Sequence, residues 1–403
     1  MNGIHPSSLD SWATLEAILR ENYEKPDIEA AKGFYSGVTG HRIEECAPAW
    51  LLIIAPSGSM KTDLIESIRE LPNVHVKDEF TSNTFISGQL QEGRTRKSSP
   101  SFLHRMGSDG ILAVPDFSTF SCQDPKKLST VLSQLRRIYD GNYAREFGTE
   151  ENLEDRAWAG RLTFLAGATP DIDQHYKIFQ LMGERFVRFR MPRAGGIRTG
   201  LKALAHRKTL IPDLRKAVSS LFSTLPQKCL PPSIYPEMSA RIVAATELVC
   251  LARTFVHRDN EGREMLSEPS PEGNTRLPQQ VAQLARGWAL LNDRSSVGEE
   301  EFQLVHRACL DSIPPNRKKV LAAIEQGHSP YSVHLPGGVI SRAIEDLKSV
   351  ELLADKEIGF QLTDDAKTLI YQAVGSSHFF SHVNFFKDSE DPGLSRSAKS
   401  GNS

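Results

Sequence analysis

LLIIAPSGSMKT, Leu51 to Thr62, is the stretch on which the reading of this chain turns. Four apolar residues, a turn of small residues and then Lys-Thr describe a strand, a phosphate-binding loop and the start of a helix. Such a loop works because successive backbone N–H groups point into a concavity that cradles phosphates, while Lys reaches the β/γ-phosphates and the Ser/Thr hydroxyl holds Mg²⁺. The full pattern is Gly-x-x-x-x-Gly-Lys-Ser/Thr. Here Ala55 stands at the first glycine and Met60 at the second, while Gly58, Lys61 and Thr62 remain. Glycine is favoured before the Lys because the backbone must approach the ligand with no side chain in the way. Two readings follow. In one, Ala55, Pro56, Ser57, Gly58, Ser59, Met60, Lys61 and Thr62 bind ATP, with Mg²⁺ on Thr62; in the other, a core strand is followed by an accidental Lys-Thr.

Outward from the loop, short apolar runs alternate with helical stretches. The runs are WLLIIA (50–55), NVHVKD (73–78), GILAVP (110–115), RLTFLAG (161–167) and RFVRFRM (185–191), with helices expected near 61–70, 125–138 and 174–182. That alternation predicts an α/β domain whose parallel sheet is covered on both faces. Two helices are expected before it, over 9–45. After Pro192 strand signals vanish for more than a hundred residues, and helices near 198–222, 237–257, 276–292 and 298–312 form a helical region. Residues 314–372 change to helices followed by a hairpin. The expected division is an N-terminal helical cap (1–45), the α/β nucleotide-binding domain (46–195), a helical lid (196–313), a winged-helix domain (314–373) and a disordered tail (374–403).

Composition bounds the function classes. The 403 residues carry a net charge of −2, so no global basic field advertises nucleic acid, and any such binding must come from a local patch. Hydrophobic residues make up 39% and charged residues 24%, proportions of an ordinary soluble protein. The five cysteines form no CxxC and no cluster with histidine, which argues against a zinc site or disulfide framework and for a reducing, cytoplasmic setting. No apolar run approaches the length of a membrane span.

A phosphate loop needs a second apolar strand ending in a metal-holding acidic residue. GILAVPDF offers Asp116. The glutamate that usually follows and polarises the attacking water is replaced by Phe117, and Pro115 is unusual in a central strand because it cannot donate to the ladder. A strand ending in a surface aspartate is the plain alternative.

RLTFLAGATPDID, with its apolar strand, small residues and a polar residue before Pro, resembles the sensor-1 strand of AAA+ ATPases. That strand ends in Ala-Ala-Asn-Pro in the MCM-type helicases and here in Gly167-Ala168-Thr169-Pro170, so the resemblance places Thr169 at the sensor. GERF (183–186) resembles the Ser-Arg-Phe that carries the arginine finger of that group, which puts Arg185 at the finger. NTRLPQQVAQLARGWALLNDRSSVGEEEF resembles the AAA+ lid, with Arg276 in the sensor-2 place. The stretch before the sensor strand has Asp140-Gly141, Gly148 and Gly160 bracketing two β-prone arms, Asn142–Phe147 and Ala157–Leu162. A hairpin there marks the pre-sensor-1 group of AAA+ proteins, where it grips DNA in a pore; Tyr143 and Arg145 are then candidate contacts by stacking and charge. The acidic loop between the arms leaves a protein-contact role open.

Residues 314–372 have the rhythm of a winged helix: helix 316–326, a short helix near 329–334, a second helix over Val339–Val350 with Ile340, Ile344 and Leu347 inward, and a wing from ELLAD and GFQLT. Ser341, Arg342 and Lys348 on its outer face suit a major groove. Glu345, Asp346 and Glu351 suit a protein contact instead. The resemblance covers about residues 45–313 and implies an ATP-dependent, DNA-acting AAA+ ATPase, helicase-like or loader-like as in phages and mobile elements, assembled as a ring or filament. Its catalytic set is Asp116, Thr169, Arg185 and Arg276, with Mg²⁺ on Thr62 and Asp116. The alternative is a non-hydrolysing, nucleotide-switched DNA-binding or scaffold protein. Phe117 favours the second and the two arginines the first. Partner proteins stay open.

Overall fold

The computed structural model describes residues 8–44, 46–78, 84–85, 101–118, 125–144, 157–176, 179, 183–193, 196–259, 261 and 263–383. The chain starts with helices α1 (Ser8–Asn22) and α2 (Ile28–Gly40), then strand β1 (Leu51–Ile54), α3 (Lys61–Ser67), β2 (Val74–Val76), α4 (Phe102–Met106) and β3 (Asp109–Val114). It continues through α5 (Pro125–Tyr139), the hairpin arms β4 (Asn142–Ala144) and β5 (Ala157–Ala159), β6 (Arg161–Ala168), a 3₁₀ turn over Pro170–His175 and β7 (Val187–Arg190). Helices α6 (Ile197–Ser223), α7 (Pro236–Ala252), α8 (Arg276–Leu291), α9 (Glu299–Ser312), α10 (Pro315–Glu325) and α11 (Gly337–Ser349) follow. Strands β8 (Leu353–Asp355) and β9 (Phe360–Leu362) and helix α12 (Asp364–Val374) are the last elements among the described residues.

The five apolar runs form one parallel sheet in the order β2-β3-β6-β1-β7. Both faces are covered, which is why β1 reads as a continuous apolar run rather than an alternation. Along it Leu51, Ile53 and Ala55 enter one core and Trp50, Leu52 and Ile54 the other. The helix expected over 174–182 begins after the 3₁₀ turn, with Tyr176 and Phe179 helical; residues 177–178 and 180–182 lie outside the described residues. Pro115 follows the last ladder residue of β3, Val114, so the sheet loses no bond to it.

The helical cap, the lid and the C-terminal unit share the larger core, which runs from Trp12 and Phe34 through Leu248 and Trp288 to Leu321, Ile344 and Phe380. Charged groups join the layers where β7 forms the sheet edge. Arg188 pairs with Glu184 (2.5 Å), and Arg190 donates twice to Asp173 (2.7 and 2.8 Å) and to the Asp311 carbonyl (2.9 Å). Asp311 in turn binds Arg307 (2.6 Å) and Lys318 (3.0 Å), tying α9 and α10 to that edge.

Past α9 the chain forms a helix, a 3₁₀ turn at Pro330–Ser332 in place of the expected short helix, α11, and the two-stranded sheet β8-β9. Ile340, Ile344 and Leu347 are buried, and Asp346 is held by Arg258 (2.7 Å) and Arg317 (2.8 Å). No helix among the described residues is long and apolar enough to cross a membrane.

Candidate functional site

Parallel pairing places the carboxyl ends of β1, β3 and β6 side by side, with Ile54 opposite Ala168 and Val114 opposite Ala166. Open parallel sheets bind ligands beyond these ends. The loop 55–62 leaves from β1, between β6 and β7, and is anchored by the Ala55 N–H on the Ala168 carbonyl (2.9 Å). Gly58 takes φ +78 with open space where a side chain would stand, so only glycine is unstrained there. The Ser59 hydroxyl donates to the Pro56 carbonyl and tightens the turn.

Met60 accounts for its departure from the pattern. Its φ is −66, a right-handed value open to any residue, and its side chain is buried in the larger core. It points into the body of the protein and leaves the concavity clear. Lys61 follows with Nζ 3.3 Å from both the Ala55 and Pro56 carbonyls and 5% exposure. Burial pushes its pKa down, opposed by the Asp116 charge. Thr62 is exposed in the first turn of α3.

Asp116, half-buried beyond β3, accepts the Ser118 N–H (2.9 Å). Ser118 Oγ in turn accepts the Thr169 N–H (2.5 Å) and meets Thr169 Oγ1 at 3.0 Å; Thr169 Oγ1 lies 3.3 Å from an Asp171 oxygen. One hydrogen-bonded line thus links Asp116 to Thr169. Ser118 and Asp171 escape a reading of the sequence because polar residues in a turn look alike whether or not they touch. Gly167 packs beneath this line: an added Cβ would sit 2.5 Å from the Pro115 carbonyl and 3.4 Å from Lys61 Cδ.

Phe117 lies on the other side of its backbone. It is fully buried among Phe164, Phe179 and Phe186, with centroids 5.6–6.4 Å away, and its N–H binds the Gly167 carbonyl (2.7 Å). No carboxylate enters the site from position 117. The open glycine, the cation, the Thr62 hydroxyl and the Asp116 carboxylate nevertheless suit a nucleoside triphosphate and Mg²⁺, which takes hard oxygen donors.

Arg185 and Arg276 stand at the opposite edge of the sheet. The Val187 N–H bonds to the Trp50 carbonyl, so Arg185 lies near the start of β1 and Lys61 beyond its end. Five residues at about 3.3 Å each separate the two by roughly 17 Å. Both guanidiniums crowd Gly183, where an added Cβ would be 3.1 Å from Arg185 Nη1 and 3.5 Å from Arg276 Nη1. Arg185 is not projected into solvent: it is 7% exposed, donates to the Gly183 carbonyl (2.9 Å), reaches Asp140 (3.5 Å) and lies over the Tyr139 ring (5.5 Å). Burial and then the Arg276 charge push its pKa down. Arg276 Nη1 is buried without a hydrogen-bond partner among the described residues.

Of the nucleic-acid candidates, Tyr143 corrects the expectation. It is 7% exposed, opposite Trp158 in the β4-β5 pair, and belongs to the smaller core, so its ring is not available to stack on a base. Three residues of each arm are described, and one face of these lies on the domain. Arg145 lies outside the described residues. Helix α5, which leads into the hairpin, exposes Lys126, Lys127, Arg136 and Arg137. On α11, Arg342 is exposed and Lys348 pairs with Asp355 (2.6 Å).

No family model and no curated protein matches the chain. Among solved structures it is similar to that of a full-length MCM homologue from Methanopyrus kandleri, at 14% identity and a TM-score of 0.43, over 78% of this chain and 64% of that one. A likeness at that level identifies neither family nor activity.

Proposed function

We propose that the chain binds ATP-Mg²⁺ at the 55–62 loop and acts on DNA as an assembly of AAA+ type, in which each nucleotide is sensed across a subunit boundary. The observation that carries this is the convergence of Lys61, Thr62, Asp116 and Thr169 beyond the carboxyl ends of three adjacent parallel strands. When bound, the nucleotide supplies a γ-phosphate whose presence or loss changes the contacts of this site. Lys61 would leave the loop carbonyls for the phosphates, Thr62 and Asp116 would hold the metal, and Thr169 would read the γ-phosphate through the line that includes Ser118. Arg185 and Arg276 are too far from their own loop to serve it. They form a crowded cationic pair, and Arg185 would have to leave the Gly183 carbonyl and Asp140 to reach a neighbour's phosphates.

DNA contact rests on the basic face of α5, continuous with the hairpin, and on Arg342 in a C-terminal unit read as a winged helix. The burial of Phe117 favours a second reading, in which nucleotide orders the subunits without turnover, because that position supplies no carboxylate to polarise water. Turnover measured with and without single- and double-stranded DNA, for the parent and Lys61→Ala, decides between them. DNA-stimulated turnover lost in the variant supports the ATPase; nucleotide binding without turnover supports the switch.

A further inference from the structure

Phe117 is turned into the smaller core, so the loop site lacks a carboxylate from the position after Asp116. Water attacking a phosphorus atom needs a positioned acceptor for its proton. The end of β6 is where such a group can enter, because β6 lies between β1 and β3. Its last residues are stitched to both neighbours. The Ala168 carbonyl takes the Ala55 N–H at the start of the loop, and the Gly167 carbonyl takes the Phe117 N–H beside Asp116. Thr169 comes next, and the 3₁₀ turn that begins at Pro170 carries the chain onward. The head of that turn therefore adjoins both the phosphate loop and the candidate metal aspartate.

Most carboxylates at this end of the sheet are committed elsewhere. Asp63 accepts the Tyr23 hydroxyl. Asp173 is held by Arg188 (3.4 Å) and twice by Arg190. Asp78 follows β2, at the sheet edge three strands away from β1. Asp171 differs from all of these. It is exposed at the head of the turn, its Oδ2 lies 3.3 Å from Thr169 Oγ1, and its Oδ1 accepts from Gln174 Nε2 at 3.3 Å. Among the described residues no basic side chain neutralises it. The Thr169 hydroxyl has one hydrogen and two acceptors in reach, Ser118 Oγ and Asp171 Oδ2. When it turns to Ser118, Oδ2 keeps its lone pairs for another donor.

We propose that Asp171 supplies the carboxylate that position 117 lacks and takes the proton of the water that attacks the γ-phosphate, held in place by Thr169 and Gln174. The proposal rests on the ATP-Mg²⁺ reading above and deepens it in favour of turnover. In the step, the water oxygen bonds to the γ-phosphorus and the bond from that phosphorus to the β,γ-bridging oxygen breaks. The electron pair of the broken bond leaves on ADP, and the water's proton passes to Asp171 and then to solvent. The carboxylate thus comes from the turn after the sensor strand instead of from the strand that carries Asp116.

Three variants of the full chain test this with single-stranded DNA present: Asp171→Asn, which keeps the shape but cannot take the proton, Asp171→Ala and Lys61→Ala. Asp171→Asn is expected to turn over ATP at least about a hundredfold more slowly than the parent. Its melting temperature should be unchanged, and its affinity for a non-hydrolysable ATP analogue with Mg²⁺ should shift less than twofold. Nucleotide recovered from it after mixing with ATP should be ATP, where the parent yields ADP. Formate, a small carboxylate able to enter at an exposed position, should restore part of the turnover of Asp171→Ala and none of that of Lys61→Ala. Parental turnover in Asp171→Asn would overturn the proposal. So would a slowed rate matched by an equal loss of analogue affinity, no rescue by formate, or a parent that binds ATP without hydrolysing it. Failure of the parent to bind the analogue would instead overturn the nucleotide reading on which the proposal rests.

Discussion

Restoring a glutamate at position 117 is the obvious route to a faster enzyme, and the fold predicts that it fails. Phe117 is 0% exposed, with three aromatic rings around it and its backbone bonded to β6. Emptying such a site costs about 3–5 kcal/mol for a phenylalanine truncated to alanine. Placing a carboxylate there adds a desolvation cost of about 1–3 kcal/mol or more, because aromatic rings line the site. Phe117→Glu should therefore lose at least about 4 kcal/mol, a large part of a domain stability of roughly 5–15 kcal/mol. At about 2–4 °C per kcal/mol the melting point should fall by roughly 8 °C or more. Burial would raise the pKa of the introduced carboxyl above its unfolded value of about 4.3. The charge penalty is then absent below about pH 4, where both states are protonated, and grows as pH rises through the folded pKa, leaving the packing loss at every pH. Phe117→Leu should lose only about 1–2 kcal/mol. Thermal unfolding by circular dichroism at pH 4 and pH 7.5, alongside ATP turnover, reads all of this. A Phe117→Glu protein as stable as the parent and faster in turnover would refute the placement of this side chain in the core.

Gly167→Ala should weaken ATP binding as well as stability, since the new methyl meets the Pro115 carbonyl and presses on Lys61; calorimetric titration with unchanged affinity would count against that packing. Arg145→Ala should reduce nucleotide-dependent binding of single strands, and Arg342→Ala nucleotide-independent binding of duplex, each lowering the salt slope of its own mode by about one. Filter binding separates them, and a common effect on both modes would mean a single DNA surface. Point substitutions are preferred to deleting residues 314–403 because Val320, Leu321 and Ile344 belong to the shared core. Burial raises the Glu325 carboxyl to about 7, against two N–H bonds from Phe379 and Phe380. Its folded pKa lies above the unfolded one, so its contribution is complete below about pH 4.5 and is lost as pH rises to 7. Glu325→Gln should flatten that part of the melting-point profile; an unchanged profile would remove Glu325 as its source.

The strands were legible because sheet residues covered on both faces must be apolar, and the turns around them are marked by Gly, Pro and Asp. The sheet order was not, since it depends on contacts between distant segments. At Met60 the pattern asked for glycine on steric grounds, and only the backbone shows the side chain turned away from the ligand side. Tyr143 misled for the opposite reason: an aromatic in a short arm suits either a base or a core, and the burial of Tyr143 between exposed Asn142 and Ala144 shows only in the fold. Arg185 and Arg276 are 91 positions apart, with two helices between them, so no local signal announces their meeting. Ser118 is one polar residue among many in loops.

The central claim is that the 55–62 loop is a phosphate site despite Ala55 and Met60. Its most direct test is calorimetric titration of ATP-Mg²⁺ into the parent and Lys61→Ala, with folding checked by circular dichroism. The account predicts saturable binding to the parent and at least tenfold weaker binding to the variant, a loss of about 1.4 kcal/mol or more. Equal affinity in the two proteins, or no binding to either, would contradict it.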